Sequence, residues 1–282
     1  MDKEFLYDML RTPSVSGHEI ALQKKVIQHM EPVADEILTD ATGDVISVLN
    51  PHAEAKVLLC GHIDEIGFLV TRICEDGMLK VTKAGGIHPV LYLGTHVQVV
   101  CASQILPGVV VTNRTLESKE QVQVEDLFID LGFDSKAECE RYVSIGDPVC
   151  AASEFTELAH GKLAGRALDD RIGAFIILEA LKKAKQKQAA CGIYAATTCG
   201  EETTMRGAYH VATRVQPSCA LIVDVTFASD YPGVSGDASG TVKLGGGAVL
   251  CSNSMINKPL NAALAAIAEE HQLDVDRKST RL

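Results

Sequence analysis

No run of the sequence approaches the roughly 20 apolar residues that a membrane-spanning helix needs, and the opening Met1-Asp2-Lys3-Glu4 is not a secretory signal. A soluble, cytoplasmic protein with no membrane partner is expected. No cluster of Lys and Arg offsets the acidic balance: 26 basic against 37 acidic residues leave a formal charge of −11. Nucleic acid and anionic membranes both select basic surfaces, so neither is an expected partner. No C-x-x-C pair occurs, which excludes a cysteine-type zinc finger. The nine cysteines are odd in number and irregular in spacing, and several sit in apolar runs such as Val57-Leu58-Leu59-Cys60. They read as small buried hydrophobes of a reducing compartment, not as a disulfide framework. Internal repeats and low-complexity stretches are missing too. What is there is a 282-residue chain, 46% hydrophobic and 22% charged, long enough to bury about 75% of the surface its unfolded form exposes.

Ser16-Gly17-His18-Glu19 has the pattern of a capping box, and Ile20, Leu22, Val26, Ile27 and Met30 follow at helical spacing, which predicts a first amphipathic helix. Asp44 to Leu49 and Lys56 to Cys60 read as strands, the second too apolar to alternate and therefore central, with Gly61 breaking it. From Glu65 to Gly161 the texture shifts to short β-rich runs, Ile66 to Val70, Met78 to Thr82, Val97 to Val100 and Gly108 to Thr112, punctuated by Gly85-Gly86, Pro89, Gly94 and Pro107. A small β domain inserted in the chain fits that profile. Beyond Asp169, a helix over Ile172 to Ala184 and strands over Gly192 to Thr198 and Cys219 to Thr226 alternate in the manner of a mostly parallel sheet with helices on both faces.

Four short elements place acids or His at or just past the predicted C-terminal strand ends, where open α/β sheets build their sites. In Gly61-His62-Ile63-Asp64-Glu65, His62 and Asp64 are two apart and point to one side of an extended backbone. An imidazole can then ligate a metal while the carboxylate steadies it; a buried His beside a capping Asp is the equally weighted alternative. In Gly165-Arg166-Ala167-Leu168-Asp169-Asp170-Arg171, Asp169 precedes a helix and can either cap it or bridge two ions. Glu201-Glu202 follows a strand. Adjacent side chains in an extended turn diverge, so one can bind metal while the other serves a water molecule, unless both are solvated. Asp224 falls within Leu221 to Thr226, and an acid inside so apolar a strand needs a partner or a cation. The set is rich in oxygen with one imidazole, suiting zinc, cobalt or manganese.

The segments Gly61 to Phe68, Gly165 to Gly173, Glu201-Glu202 with Arg206-Gly207-Ala208, and Asp224-Val225-Thr226 with Asp230, Pro232 and Gly233 resemble the glutamyl aminopeptidase / tetrahedral aminopeptidase family of dinuclear metallopeptidases, in order and spacing, from the first helix to about residue 270. The resemblance implies an α/β fold with a phosphorylase/hydrolase-like mixed sheet flanked by helices. It also implies an inserted small β-barrel-like domain. Residues 1–65 and 162–282 would form the catalytic domain and 66–161 the inserted domain that mediates assembly. The implied activity is removal of N-terminal residues from peptides with two divalent metal ions, zinc or cobalt. Carried over, His62, Glu202 and Asp224 would each bind one ion, Asp169 would bridge both, Glu201 would be the general base, and Asp64 would orient His62. Self-association, from a dimer up to a tetrahedral dodecamer, is implied as well.

Two departures stand out. Thr203-Thr204-Met205 replaces a Gly-containing turn beside the base, so a different loop shape is expected there. The family continues past the helix predicted over Pro259 to His271 to a last metal-binding His, which Asp276 to Arg281 does not resemble. A chain lacking the family's C-terminal segment is the expectation. A catalytically impaired remnant with an assembly or metal-binding role, and a two-metal hydrolase of another small amide, are the alternative readings.

Overall fold

The computed structural model describes residues 2–112, 122–152, 155–234 and 240–279. The chain divides into two compact units, one ending at Val225 and one starting at Thr226.

The first unit opens with a helix ahead of the predicted one. α1 (Lys3–Arg11) is capped by the Asp2 carboxylate, which accepts the Phe5 N–H at 3.1 Å, and it buries Phe5, Leu6, Met9 and Leu10 on one face. α2 (Ile20–Met30) follows at the predicted place, but the capping box does not form. Ser16 Oγ lies 3.0 Å from Thr203 Oγ1, and the Glu19 carboxylate turns to the peptide N–H of Gly17 and of Gly200.

Five strands form the main sheet: β1 (Glu36–Thr39), β2 (Val45–Leu49), β3 (Lys56–His62) and, later in the chain, β12 (Gly192–Thr198) and β13 (Cys219–Ile222). Their order is β1-β2-β12-β3-β13. Only β12–β3 and β3–β13 are parallel; β1–β2 and β2–β12 are antiparallel, so the sheet is mixed instead of mostly parallel. Gly61 does not break β3. The strand runs on to His62, with Gly61 and His62 paired to Thr197 and Thr198 of β12; a Cβ at Gly61 would stand 2.8 Å from the Ala174 amide nitrogen, so glycine there lets a helix cross closely. That helix is α4 (Leu168–Gln186), packed on β3 and β12. It shares a core with α1, α2, Val45, Leu49, Ile193 and Ala195. The alternate residues Ile46, Val48, Tyr194 and Ala196 face Val211 and Val215 of α6 (Arg206–Val215). Helices thus cover both sheet faces. The short α5 (Glu201–Thr204) sits between β12 and α6.

Between β3 and α4 the chain forms a closed barrel of β4 (Gly67–Ile73), β5 (Leu79–Ala84), β6 (His96–Val100), β7 (Ile105–Thr112), β8 (Leu127–Asp130) and β9 (Pro148–Ala151), in the order β4-β5-β8-β7-β6-β9. Sequence periodicity locates four of these strands. β8 and β9, of four residues each, complete the closure around Phe68, Val70, Leu79, Val97, Val110 and Ile129. The four-residue α3 (Lys136–Cys139) lies beside it, and β10 (Thr156–Glu157) pairs with β11 (Leu163–Ala164) on the way back to α4.

In the second unit, β14 (Ala248–Ser252) and β15 (Val275–Ser279) pair in parallel and are joined by α7 (Lys258–Glu270), whose Asn257 cap accepts the Leu260 N–H at 3.0 Å. His271 is the C-cap of α7; Thr280 and Arg281 lie outside the described residues.

Candidate metal centre

The β12–β3 register sets Thr198 opposite His62, and Ile222 of β13 pairs with Cys60, so the three parallel strands end at one edge of the sheet. The candidate residues collect beyond it. His62, the last residue of β3, is buried. Its Nδ1 lies 3.2 Å from the Asp64 carbonyl oxygen and 3.4 Å from Asp64 Oδ1. Its Nε2 lies 3.1 Å from Asp169 Oδ1 and 3.7 Å from Glu201 Oε2. Donor atoms of His62, Asp169 and Asp224 all fall within 4.8 Å of one another.

Asp169 stands at the start of α4 with non-helical φ −85 and ψ 110, which turns its carboxylate to the imidazole and away from a capping role. Asp224 corrects the sequence reading. β13 ends at Ile222, and Asp224 lies exposed two residues past the strand, not inside it. An acid that would be costly within the sheet is placed where water or a cation can reach it. Glu201 and Glu202 occupy the first turn of a helix, not an extended turn, and there adjacent side chains point about 100° apart. Glu201 faces His62. Glu202 lies outside the 4.8 Å group, its Cβ against Gly85, where an added Cβ would be 3.3 Å away. Asp64, fully buried, accepts the peptide N–H of Glu201 at 3.0 Å and of Glu202 at 3.2 Å while facing His62.

Electrostatics describe a place short of positive charge. Burial opposes a charge on His62, but hydrogen bonds to Asp169 and Asp64 and the charges of Asp64 and Asp170 outweigh it and raise the imidazole to about 11. Burial also raises Glu202, to about 7, helped by the charge of Asp169. It pushes Glu201 and Asp224 upward as well. Asp64 is held low against burial by His62 and by the Glu201 N–H. A divalent cation would supply the positive charge that this cluster of acids lacks. Donors around one tetrahedral zinc at about 2.1 Å stand roughly 3.4 Å apart, so a group spread within 4.8 Å fits such an ion.

Several participants went unnoticed in the sequence. Asp170 is fully buried; its Oδ1 accepts the Gly173 N–H at 3.1 Å, its Oδ2 has no partner, and burial with repulsion from Asp224 raises it to about 8. Glu65, next to Asp64, accepts Arg166 Nη1 at 2.6 Å, Arg171 Nη2 at 2.7 Å and the Ser14 N–H at 2.9 Å. The two arginines flank Asp169 and Asp170 in sequence, which was the available signal. Cys199, beside Glu201 in the chain, is fully buried, and burial raises its thiol, which disfavours the reactive thiolate. Asp230, part of the resemblance, lies in the second unit, its Oδ2 3.3 Å from the Leu244 nitrogen.

Comparison with known proteins identifies the family and the fold. The M42 glutamyl aminopeptidase family matches residues 43–281. The putative aminopeptidase FrvX of Escherichia coli K12 is 31% identical over 97% of this chain and 78% of its own. The crystal structure of a TET aminopeptidase from a marine sediment archaeon of the Thaumarchaeota superposes with a TM-score of 0.91 at 31% identity, covering 98% of this chain and 80% of that one. The TET1 peptidase of Pyrococcus horikoshii, which can assemble into a tetrahedron or a large octahedral shell, gives 0.87 at 30% identity over 99% and 84%.

Proposed function

The chain belongs to the M42 glutamyl aminopeptidase family, and from that premise we propose that it removes N-terminal residues from peptides at a centre of two divalent ions, zinc or cobalt, built on the edge of the main sheet. The observation that carries this is the convergence of His62, Asp169 and Asp224 donors within 4.8 Å, with the Glu201 carboxylate 3.7 Å from the same imidazole. His62, Glu202 and Asp224 would each hold one ion, and Asp169 would be shared between the two. Bound there, the ions would polarise the scissile carbonyl and lower the pKa of water. Glu201, raised by burial, is suited to be the general base. It takes a proton from the water whose oxygen adds to the carbonyl carbon, and delivers it to the amine as the C–N bond breaks. Asp64 orients His62 and holds the turn that carries Glu201.

The same reading assigns residues 1–65 and 162–282 to catalysis and 66–161 to assembly, supported by the closed barrel of β4 to β9 and by relatives that form tetrahedra. The expected assembly is a dimer or larger, up to a tetrahedral dodecamer. Nine cysteines, all free, fit a reducing cytoplasm.

Elemental analysis after incubation with zinc or cobalt and desalting tests the centre. Two equivalents per chain are expected, with fewer in Glu202→Ala. In parallel, Glu201→Ala should lower hydrolysis of an aminoacyl p-nitroanilide by roughly 10²- to 10⁴-fold. A folded chain that takes up no divalent ion refutes the proposal, as does a Glu201→Ala variant with the parent rate.

A further inference from the structure

Four consecutive peptide N–H groups in the turn after β12 each donate to a buried carboxylate from elsewhere in the chain. Cys199 donates to Asp44 Oδ1 at 2.8 Å, Gly200 to Glu19 Oε1 at 3.1 Å, and Glu201 and Glu202 to the two oxygens of Asp64 at 3.0 and 3.2 Å. Asp44 and Asp64 are 0% exposed and Glu19 is 3% exposed. Buried carboxylates are costly and need hydrogen-bond donors, yet three of them converge on one turn. Asp64 also faces His62. Glu19 and Asp44 meet the site through the backbone of this turn.

The packing behind the turn is equally close. Gly200 has φ +70, and a Cβ on it would stand 2.8 Å from Cζ of Arg206. A Cβ on Gly207 would stand 2.4 Å from Asp44 Oδ1 and 2.7 Å from the Cys199 nitrogen and oxygen. Arg206-Gly207 is therefore the floor beneath Cys199-Gly200-Glu201. α5 has only four residues, too few to hold a helical turn unaided, so the carboxylates fix where Glu201 stands.

We infer that Glu19 and Asp44 are positioning residues for Glu201: each anchors one amide of the turn and thereby sets the Glu201 carboxylate against His62. This rests on Glu201 being the general base. A misplacement of about 1 Å can cost about 100-fold in rate, and an amide in place of the carboxylate keeps an acceptor while losing its charge.

The test uses the metal-loaded full chain with Glu19→Gln, Asp44→Asn and Glu201→Ala, singly and combined. Glu19→Gln and Asp44→Asn should each lower kcat by about 10-fold or more, with KM within about twofold and metal content per chain unchanged. Deuterium uptake in a peptide spanning 197–205 should quicken by about tenfold, a readout independent of turnover. In the Glu201→Ala background neither change should lower the residual rate further, because residues acting as a unit are not additive. The inference is overturned by parent kcat in both variants, by faster exchange with unchanged kcat, or by losses that multiply with Glu201→Ala. If Asp44→Asn does not fold, Glu19→Gln carries the same prediction on the adjoining amide. Glu201→Ala at the parent rate refutes the base assignment itself. An inactive Glu201→Ala beside fully active Glu19→Gln and Asp44→Asn refutes the positioning role alone.

Discussion

Replacing Glu65 by Ala should destabilise the metal-free protein by about 3 to 5 kcal/mol, the cost of breaking a buried ion pair from one side. Glu65 is 2% exposed, and Arg171, whose Nη2 it binds at 2.7 Å, is fully buried. Arg166 approaches the same carboxylate at 2.6 Å. Removing the carboxylate leaves two guanidinium groups without their common anion and the Ser14 N–H without its acceptor. Arg171 keeps its bonds to the carbonyl oxygens of Met9 and Leu10 and to Ser14 Oγ, so it stays in place as an uncompensated charge. Urea unfolding followed by far-ultraviolet circular dichroism, with a chelator present to remove any contribution from bound metal, measures the loss. With a slope near 3 kcal/mol/M, the midpoint should fall by about 1 to 1.7 M at unchanged slope. A fall below about 0.3 M would mean that the network adds little beyond a surface ion pair, and would refute the reasoning.

Met205→Gly should stabilise the chain. Met205 sits at φ +56 between α5 and α6 with its side chain half exposed, and relief of about 1 to 2 kcal/mol of left-handed strain exceeds the added chain entropy of glycine, about 0.5 to 1 kcal/mol. A melting temperature higher by roughly 1 to 3 °C is the expected reading; a lower one contradicts it. Gly61→Ala should cost about 1 to 3 kcal/mol by overpacking and weaken zinc binding, since the new Cβ would push on the backbone of Gly173 and Ala174; unchanged zinc affinity by competition with a chelator would count against it. In the metal-free protein His62 is raised to about 11 from an ordinary 6.5. Its charge therefore stabilises the fold fully below pH 6.5, and that contribution is lost as pH rises through 11. His62→Gln should flatten the decline of metal-free stability over that window. Zinc binding at pH 7.5 should release at least one proton per chain, read by calorimetry in two buffers of different protonation enthalpy; release of none contradicts the His62 assignment.

The parts legible in the sequence are those governed by local pattern and by the geometry of sheet edges. β12 is read to the residue because Gly192–Thr198 is a wholly buried apolar run bounded by Cys199-Gly200. His62, Asp169, Glu201 and Asp224 could be singled out, and the structure brings them together, because strand ends are where an open sheet exposes chemistry. α1 is missed although its apolar face is present in the sequence. Nine residues make a marginal helix alone, and Arg171, far along the chain, binds the carbonyl oxygens of Met9 and Leu10. β8 and β9 are missed for a related reason: four residues carry little periodicity, and their pairing across the barrel makes them strands. Gly61 is misread because glycine in a strand signals a break or a close approach equally well, and only α4 decides which.

Glu19, Asp44 and Glu65 show the deeper limit. A lone acid in a sequence reads as solvated, since acids are almost never fully buried without a partner. Here the partners include backbone amides and guanidinium groups 101 to 181 residues away. Local pattern can show which side chains gather beyond the strand ends, because His62 closes β3, Asp169 opens α4 and Asp224 follows β13. What holds those ligands in place is bonding between a carboxylate in one segment and the main chain of another. Spacing cannot reveal such pairs, so the first residues to test beyond the ligands are the buried acids that sequence alone would have assigned to the surface.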